Sequence, residues 1–446
     1  MSKGLFGSVA RSAICLMVGA TCAAANPALA GSRTIREAAA EMAPSAVALA
    51  VLPPAASVAD MQARAAQPVP WPTEGWTTST PEAQGLDSAV LATALETIRA
   101  RNLPVHSLLI ARHGRIVLDA YFHPFEDNQL HDVASVTKSV ISTLVGIAWG
   151  ERRIGSLNTP VLAMLPDASA QGDPLKSRIT LGHLLSMTSG LDCRGNGGGN
   201  FLQSMEQSPH WTDFALARGE VAEPGTTFTY CAGNMHLMSA VLTRSTGMSA
   251  AEFAQEKLFA PLGIDHVSWA KDRDGITHGF SDLRMQPRDM AKLGLLWLHR
   301  GVWDGRQIVP YQYLDTAFRP HASVETYVRY GYGMWIYPYA GHSGGPADVE
   351  ANGSGGQRIA VVPSQDMVVV ITGAGLDANK VASLLVNAVR SDRPLPENAI
   401  AQERLNIRVA DAAHGRATRA EVRLASLSVR LARHHRSRGV SLLASR

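Results

Sequence analysis

The chain has 446 residues, of which 46% are hydrophobic and 18% charged, and a formal net charge of +3. That length is ample for a large core and accommodates one compact enzyme unit with an inserted lobe. The positive charge is gathered after Gln402, in a run carrying Arg404, Arg408, Arg416, Arg419, Arg423, Arg430, Arg433, Arg436, Arg438 and Arg446, and the body without it is slightly acidic. A body of that sign gives no reason to expect a nucleic-acid partner.

The start reads as an export signal over residues 1–30. Lys3 and Arg11 supply positive charge, an apolar run comes next, and Ala28 to Ala30 suits a signal peptidase. The expectation is a periplasmic or secreted protein with no stable membrane span after the signal is removed. Residues 31–70 are Ala- and Pro-rich and read as a leader or linker. Removal of the signal leaves Cys193 and Cys231, which could pair in an oxidising compartment or stand as two small buried thiols. The chain has no Cys/His cluster at metal spacing and no glycine-rich dinucleotide turn, so neither metal nor cofactor is expected.

The ordered body begins near Trp71. Its first helix has Leu86, Val90, Leu91, Leu95 and Ile98 on one side. Two apolar runs flanking His113-Gly114 predict an antiparallel hairpin. "DVASVTKSVISTLVGIAW" then predicts a helix apolar on nearly every face, and so buried. The middle of the chain is mostly helical, with Thr180 a cap and Gly190 a stop. Late in the chain the period changes. "YGYGMWIYPYA", "GQRIAVVPS" and "DMVVVITG" read as strands, and "LDANKVASLLVNAVR" as an amphipathic helix. Strands at both ends with helices between predict an α+β (α/β) fold: an antiparallel sheet built from N- and C-terminal strands, flanked by helices, with a mostly helical lobe inserted. The hydrolase domain is expected over residues 71–395. The arginine-rich tail of residues 396–446 reads as a peripheral helix or disorder, and its charge as a solvated run rather than a binding site for anions.

"GHSGG" at Gly341–Gly345 matches a nucleophile-elbow pattern. The stretch after it is too short and glycine-broken for the helix such an elbow needs, and the only later histidines, His414, His434 and His435, lie in the basic tail. Ser343 therefore reads as part of a bend between two strands. "SVTK" is the better constellation: Ser135 and Lys138 stand one turn apart on an apolar helix. A serine hydroxyl needs a neighbour to take its proton, and a desolvated lysine can do so.

"SVTKSVISTLVGIAWGERRIGSLNTPVLAMLPD", "ITLGHLLSMTSGLD" and "FTYCAGNMHLMSAVLTRSTG" resemble the serine beta-lactamase and penicillin-binding-protein-like superfamily, over roughly Trp76 to Pro394. The nearest branches are class C beta-lactamases, beta-lactamase-like esterases and 6-aminohexanoate-dimer hydrolase. The resemblance implies that Ser135 forms an acyl-enzyme, that Lys138 is the motif lysine, and that Tyr230 assists proton transfer. A lysinium beside Tyr230 would favour its phenolate. The family's K-T-G motif maps to Ala351-Asn352-Gly353, which makes Asn352 and Gly353 substrate-binding candidates, and the oxyanion donors map to the backbone N–H groups of Ser135 and Ser354. Asn234 sits four residues after Tyr230 on the same helical face and is a further candidate to bind substrate or to serve the structure, whereas the family often has asparagine two after tyrosine, where Ala232 stands here. Arg194, in the glycine-rich loop, is a candidate to supply charge to a substrate. With Ala351 in place of the K-T-G cation, recognition of a beta-lactam acid weakens. The expected substrate is a small carboxylic ester or linear amide, of the 6-aminohexanoate-oligomer kind. The alternatives are a class C-type beta-lactamase or D-alanyl-D-alanine peptidase, and a non-catalytic cell-wall or peptide binder.

Overall fold

The structure, a computed structural model, describes residues 69–170, 172–194, 201–338 and 347–415. The signal segment, nearly all of the leader, the "GHSGG" stretch with Ser343, and residues 416–446 lie outside the described residues.

The first ordered helix, α1, spans Ser88–Ala100, and the Asp87 carboxylate caps it by accepting the Ala89 N–H. Leu86 precedes that cap and bridges to Val389, so it anchors the helix entry and does not extend its apolar face. The hairpin forms as expected: β1 is Val105–Arg112, β2 is Arg115–Tyr121, and His113 and Gly114 both take positive φ between them. A two-residue strand β3, His131–Asp132, leads into α2, Val136–Gly150. Every α2 residue from Val136 to Ala148 is buried.

The inserted lobe carries α3, Leu181–Leu185, started by a capping box between Thr180 and His183. It continues through short helical turns to α4, Ala232–Thr246, which Gly247 closes in the left-handed conformation. Strands β4, Ser268–Trp269, and β5, Leu283–Met285, pair with each other, and β5 also pairs with β3. Helix α5, Pro287–Leu298, comes next with proline in its first turn, where its missing N–H is tolerated. The chain then returns to the sheet through β6 (Ala322–Glu325), β7 (Val328–Tyr330), β8 (Trp335–Tyr337), β9 (Asp348–Gly353), β10 (Gln357–Val362) and β11 (Met367–Gly373).

These strands and the N-terminal hairpin make one eight-stranded antiparallel sheet in the order β2-β1-β11-β10-β9-β8-β7-β6. The first and last parts of the ordered body thus join at the β1–β11 ladder. Alternation sorts its side chains. Leu109, Ile359, Val361, Val368 and Val370 face a core shared with α2, α4 and α5. Leu108, Ile110, Ala360, Val369 and Ile371 face a second core beneath α1 and two C-terminal helices, α6 (Ala378–Leu385) and α7 (Ala399–His414). With both faces covered, the central strands read as continuous apolar runs.

The described part of the basic tail forms the peripheral helix α7. Arg404 and Arg408 both bond the Glu96 carboxylate on α1 and fasten α7 across it. Arg112 makes a deeper tie. Its fully buried guanidinium donates to the carbonyls of Gln365, Gln84 and Ser391 and to the Asp392 carboxylate.

Candidate active site

The serine is set by a short irregular turn. The Val133 N–H donates to the Leu283 carbonyl at 3.0 Å, which continues the β3–β5 pairing by one residue. The Asp132 carboxylate then accepts the Ala134 N–H at 2.8 Å. Ala134 takes φ of 47°, a left-handed conformation that costs a non-glycine residue about 1–3 kcal/mol. That kink ends the strand and delivers Ser135 to the cap position of α2. A serine there ordinarily bonds a first-turn N–H, yet Ser135 makes no such cap bond. Its hydroxyl instead accepts a hydrogen bond from Lys138 Nζ at 2.8 Å.

Lys138 is buried in the first turn of α2, with a second acceptor in the Phe280 carbonyl at 2.9 Å. Its ammonium nitrogen lies 4.9 Å from the Tyr230 ring centre and 5.9 Å from that of Phe280. Desolvation in this wall pulls the amine from its ordinary 10.5 to about 7, so the neutral form is accessible at neutral pH. The Phe280 carbonyl was not found by sequence reasoning. It lies 142 residues away, and no side-chain motif marks a backbone acceptor.

Tyr230 stands just ahead of α4, whose cap residue is Cys231, and not on the helix itself. Its ring centre lies 4.9 Å from Lys138 Nζ, and Ser135 is near enough to act on the phenol's titration, in the lowering direction. Phe228, Tyr330 and Trp335 surround its ring at centroid distances of 6.4, 6.2 and 5.7 Å. Burial raises the phenol's pKa far above 10. This corrects the expectation of a lysinium-stabilised phenolate: desolvation dominates, and Lys138 has a neutral form of its own close at hand.

Strand β9 forms the opposite wall. An added Cβ on Gly353 would run into the Val133 carbonyl oxygen and lie 3.1 Å from Ala134 Cβ, so this glycine lets the strand end close on the serine turn. Ser354 comes directly after it and is exposed. Ala351 faces the α2-side core. Asn352, expected to bind substrate, is turned to the other face by strand alternation. There it donates to Glu350 at 3.0 Å and Tyr337 at 3.2 Å and accepts from Arg358 at 3.2 Å, within a buried polar network.

Asn234 is likewise structural. It is wholly buried, accepts from the Ser189 hydroxyl at 2.9 Å and donates toward the Met187 sulfur. Arg194 is exposed and bonds the neighbouring Asp192 carboxylate at 3.1 Å. Cys193 and Cys231 form a disulfide with their Cα atoms 5.4 Å apart. Among the described residues, no group of three or more His, Cys, Asp or Glu side chains could hold a metal ion.

The arrangement is therefore a half-buried hydroxyl between a neutralisable amine and a neutral phenol, beside a glycine-ended strand edge. It can pass a proton off a serine and onto a second group.

Comparisons with known proteins agree on the setting. The 6-aminohexanoate-dimer hydrolase of Paenarthrobacter ureafaciens is 24% identical over 243 residues, covering 51% of this chain and 60% of that protein. The acyltransferase mokF of Monascus pilosus is 31% identical over 157 residues, covering 31% of this chain and 37% of that protein. The chain thus spans less than two thirds of the length of each of these curated relatives. The octameric penicillin-binding protein homologue from Pyrococcus abyssi superposes with a TM-score of 0.54 at 22% identity, covering 69% of this chain and 78% of that one, and shows the same fold. The beta-lactamase family model matches residues 90–391, well over half of the sequence, and the chain belongs to the beta-lactamase family.

Proposed function

We propose that the protein hydrolyses a small carboxylic ester or linear amide through an acyl-enzyme on Ser135. The observation that carries this reading is the convergence of the Ser135 hydroxyl, the Lys138 amine at 2.8 Å from it, and the Tyr230 ring, whose centre lies 4.9 Å from that amine. In the acylation step the Ser135 O–H proton passes to neutral Lys138 as Oγ bonds the substrate carbonyl carbon. The backbone N–H groups of Ser135 and Ser354 receive the developing oxyanion. The bond from carbon to the leaving oxygen or nitrogen then breaks, and Tyr230 hands that atom a proton, which Lys138 replaces. Water repeats the sequence in reverse, with its proton drawn off by the same pair, and releases the acid and free Ser135.

Two features support ester or amide over a beta-lactam acid. Ala351 occupies the place where a carboxylate-binding cation would stand. The curated relatives include one named for a dimer hydrolase and one named an acyltransferase. The reading includes export, on the strength of the charged, apolar, small-residue order of residues 1–30. A disulfide suits an oxidising compartment.

A fluorophosphonate probe, combined with a hydrolysis screen of short esters, linear amides and a chromogenic cephalosporin, tests the proposal. The wild type should be labelled, Ser135→Ala should not, and Ser343→Ala should be labelled as wild type. Esters or amides should be turned over faster than the cephalosporin. Absence of labelling would favour a non-catalytic binder, and preferential cephalosporin turnover would favour a beta-lactamase.

A further inference from the structure

Tyr230 stands beside the Ser135–Lys138 pair, its ring centre 4.9 Å from the amine, on a segment with little regular structure of its own. Residues 221–231 form no helix or strand, and α4 begins only at Ala232. A phenol that must relay a proton needs its position fixed to within a fraction of an ångström. The restraint comes from the neighbouring stretch Met187–Cys193. The Met187 carbonyl accepts the Thr229 N–H at 2.8 Å, one residue before Tyr230. The Met187 sulfur accepts the Cys231 N–H at 3.4 Å, one residue after it. The Thr188 carbonyl takes the Gly225 N–H and the Gly190 carbonyl the Val221 N–H. Ser189 holds Asn234 in the first turn of α4.

These bonds are individually modest, and the Met187 contact is a weak sulfur acceptor. One tie is covalent. Cys193 closes the stretch and is bonded to Cys231, the residue next to Tyr230 and the cap of α4. Both cysteines are buried among apolar residues, so the link is packed on all sides. Cys193 is held in turn: the Asp192 N–H donates to the Gly219 carbonyl, the Arg218 guanidinium donates to the Asp192 carbonyl, and Leu191 bridges to Glu220.

We propose that Cys193 and Cys231 are positioning residues for the reaction, their disulfide fixing the Tyr230 phenol beside the Ser135–Lys138 pair. The inference rests on the acyl-enzyme reading above and adds to it a requirement for the oxidised protein. Lys138 is held independently, by its own helix and the Phe280 carbonyl. Loss of the disulfide therefore acts on the step that needs Tyr230 and leaves the step that needs Lys138.

The test is a double-mutant cycle between the disulfide (Cys193→Ala with Cys231→Ala) and Tyr230→Phe. Its readout is kcat on the best alkyl ester or anilide from the screen, whose leaving group needs a proton. Fluorophosphonate labelling runs in parallel, since fluoride departs without one. Circular dichroism and urea unfolding establish that each variant is folded. The expected result is a fall in kcat of about tenfold or more for the disulfide variant, within the roughly 10²–10⁴-fold worth of a general acid. KM should be little changed, labelling should be nearly wild type, and removing the disulfide should cause no further loss once Tyr230 is phenylalanine.

Losses that multiply, or a disulfide variant with wild-type kcat, would overturn the inference while leaving the acyl-enzyme reading intact. A wild type that neither labels nor turns over would overturn that reading and this inference with it. Should the alanine pair fail to fold, Cys193→Val with Cys231→Ala refills the buried volume and carries the same cycle.

Discussion

Replacing Lys138 by methionine separates what the lysine does for chemistry from what it does to stability. The amine falls from 10.5 to about 7 because it is buried, and at ~1.4 kcal/mol per pKa unit its burial forgoes about 5 kcal/mol of folding stability below pH 7. Proton counting gives the sign. Between pH 7 and 10.5 the unfolded chain holds the lysine proton and the folded chain has released it, so stability rises with pH across that window and is lowest below it. Methionine has nearly the same length and carries no charge. It leaves the Phe280 carbonyl without this donor, which costs about 1–3 kcal/mol. Lys138→Met should therefore be more stable than wild type by roughly 2–4 kcal/mol at pH 6 and no more stable at pH 10. Urea unfolding followed by tryptophan fluorescence at the two pH values measures this, and fluorophosphonate labelling of the same samples should be abolished. A variant whose stability runs parallel to wild type from pH 7 to 10, or which labels at the wild-type rate, would refute the reasoning.

Gly353→Ala places a methyl against the Val133 carbonyl, and should lower acylation and cost about 1–3 kcal/mol in urea unfolding as the strand is pushed off the serine turn. Arg112→Met removes the buried donor to three carbonyls and Asp392; thermal unfolding should show a loss of about 3 kcal/mol or more, with kcat unchanged in the folded enzyme. Asn234→Ala leaves the buried Ser189 hydroxyl without that acceptor and should cost about 1–3 kcal/mol while KM stays constant, a result a substrate-binding asparagine would not give.

The elements that carry the site were legible because local pattern and final packing agree. The two apolar runs flanking His113-Gly114 give the hairpin, and all-round apolarity from Val136 to Ala148 gives a helix buried on all sides. Ser135 and Lys138 are visible because one helical turn brings their side chains together without help from the rest of the chain. The features that were not legible depend on the register of distant segments. Asn352 reads as a site residue until its strand is paired, and a single step along β9 sends it to the opposite face from Ala351 and Gly353. Asn234 reads as a helix-face neighbour of Tyr230, yet α4 starts only after that tyrosine. The left-handed turn at Ala134 carries no glycine to announce it, and the Phe280 carbonyl has no side-chain signal at all.

Burial acts in opposite senses on the two groups flanking Ser135. It destabilises the charged form of each, so it lowers the ammonium of Lys138 and raises the phenol of Tyr230. Near pH 7 the resting pair is then an amine able to accept a proton and a phenol able to give one, which fixes the division of labour. In acylation, the step that kcat/KM reads, the amine is needed whenever Ser135 attacks, and the phenol only when the departing atom must be protonated. Tyr230→Phe should therefore slow an anilide or alkyl ester by roughly 10²–10⁴-fold, and a p-nitrophenyl ester, whose phenolate leaves unaided, by far less. In both cases the rate should still rise with pH through about 7 as Lys138 loses its proton. Measuring kcat/KM against pH for the two substrate types decides the matter. Equal losses on both, or disappearance of the rise near pH 7 in the variant, would mean that the phenol and not the amine takes the serine proton.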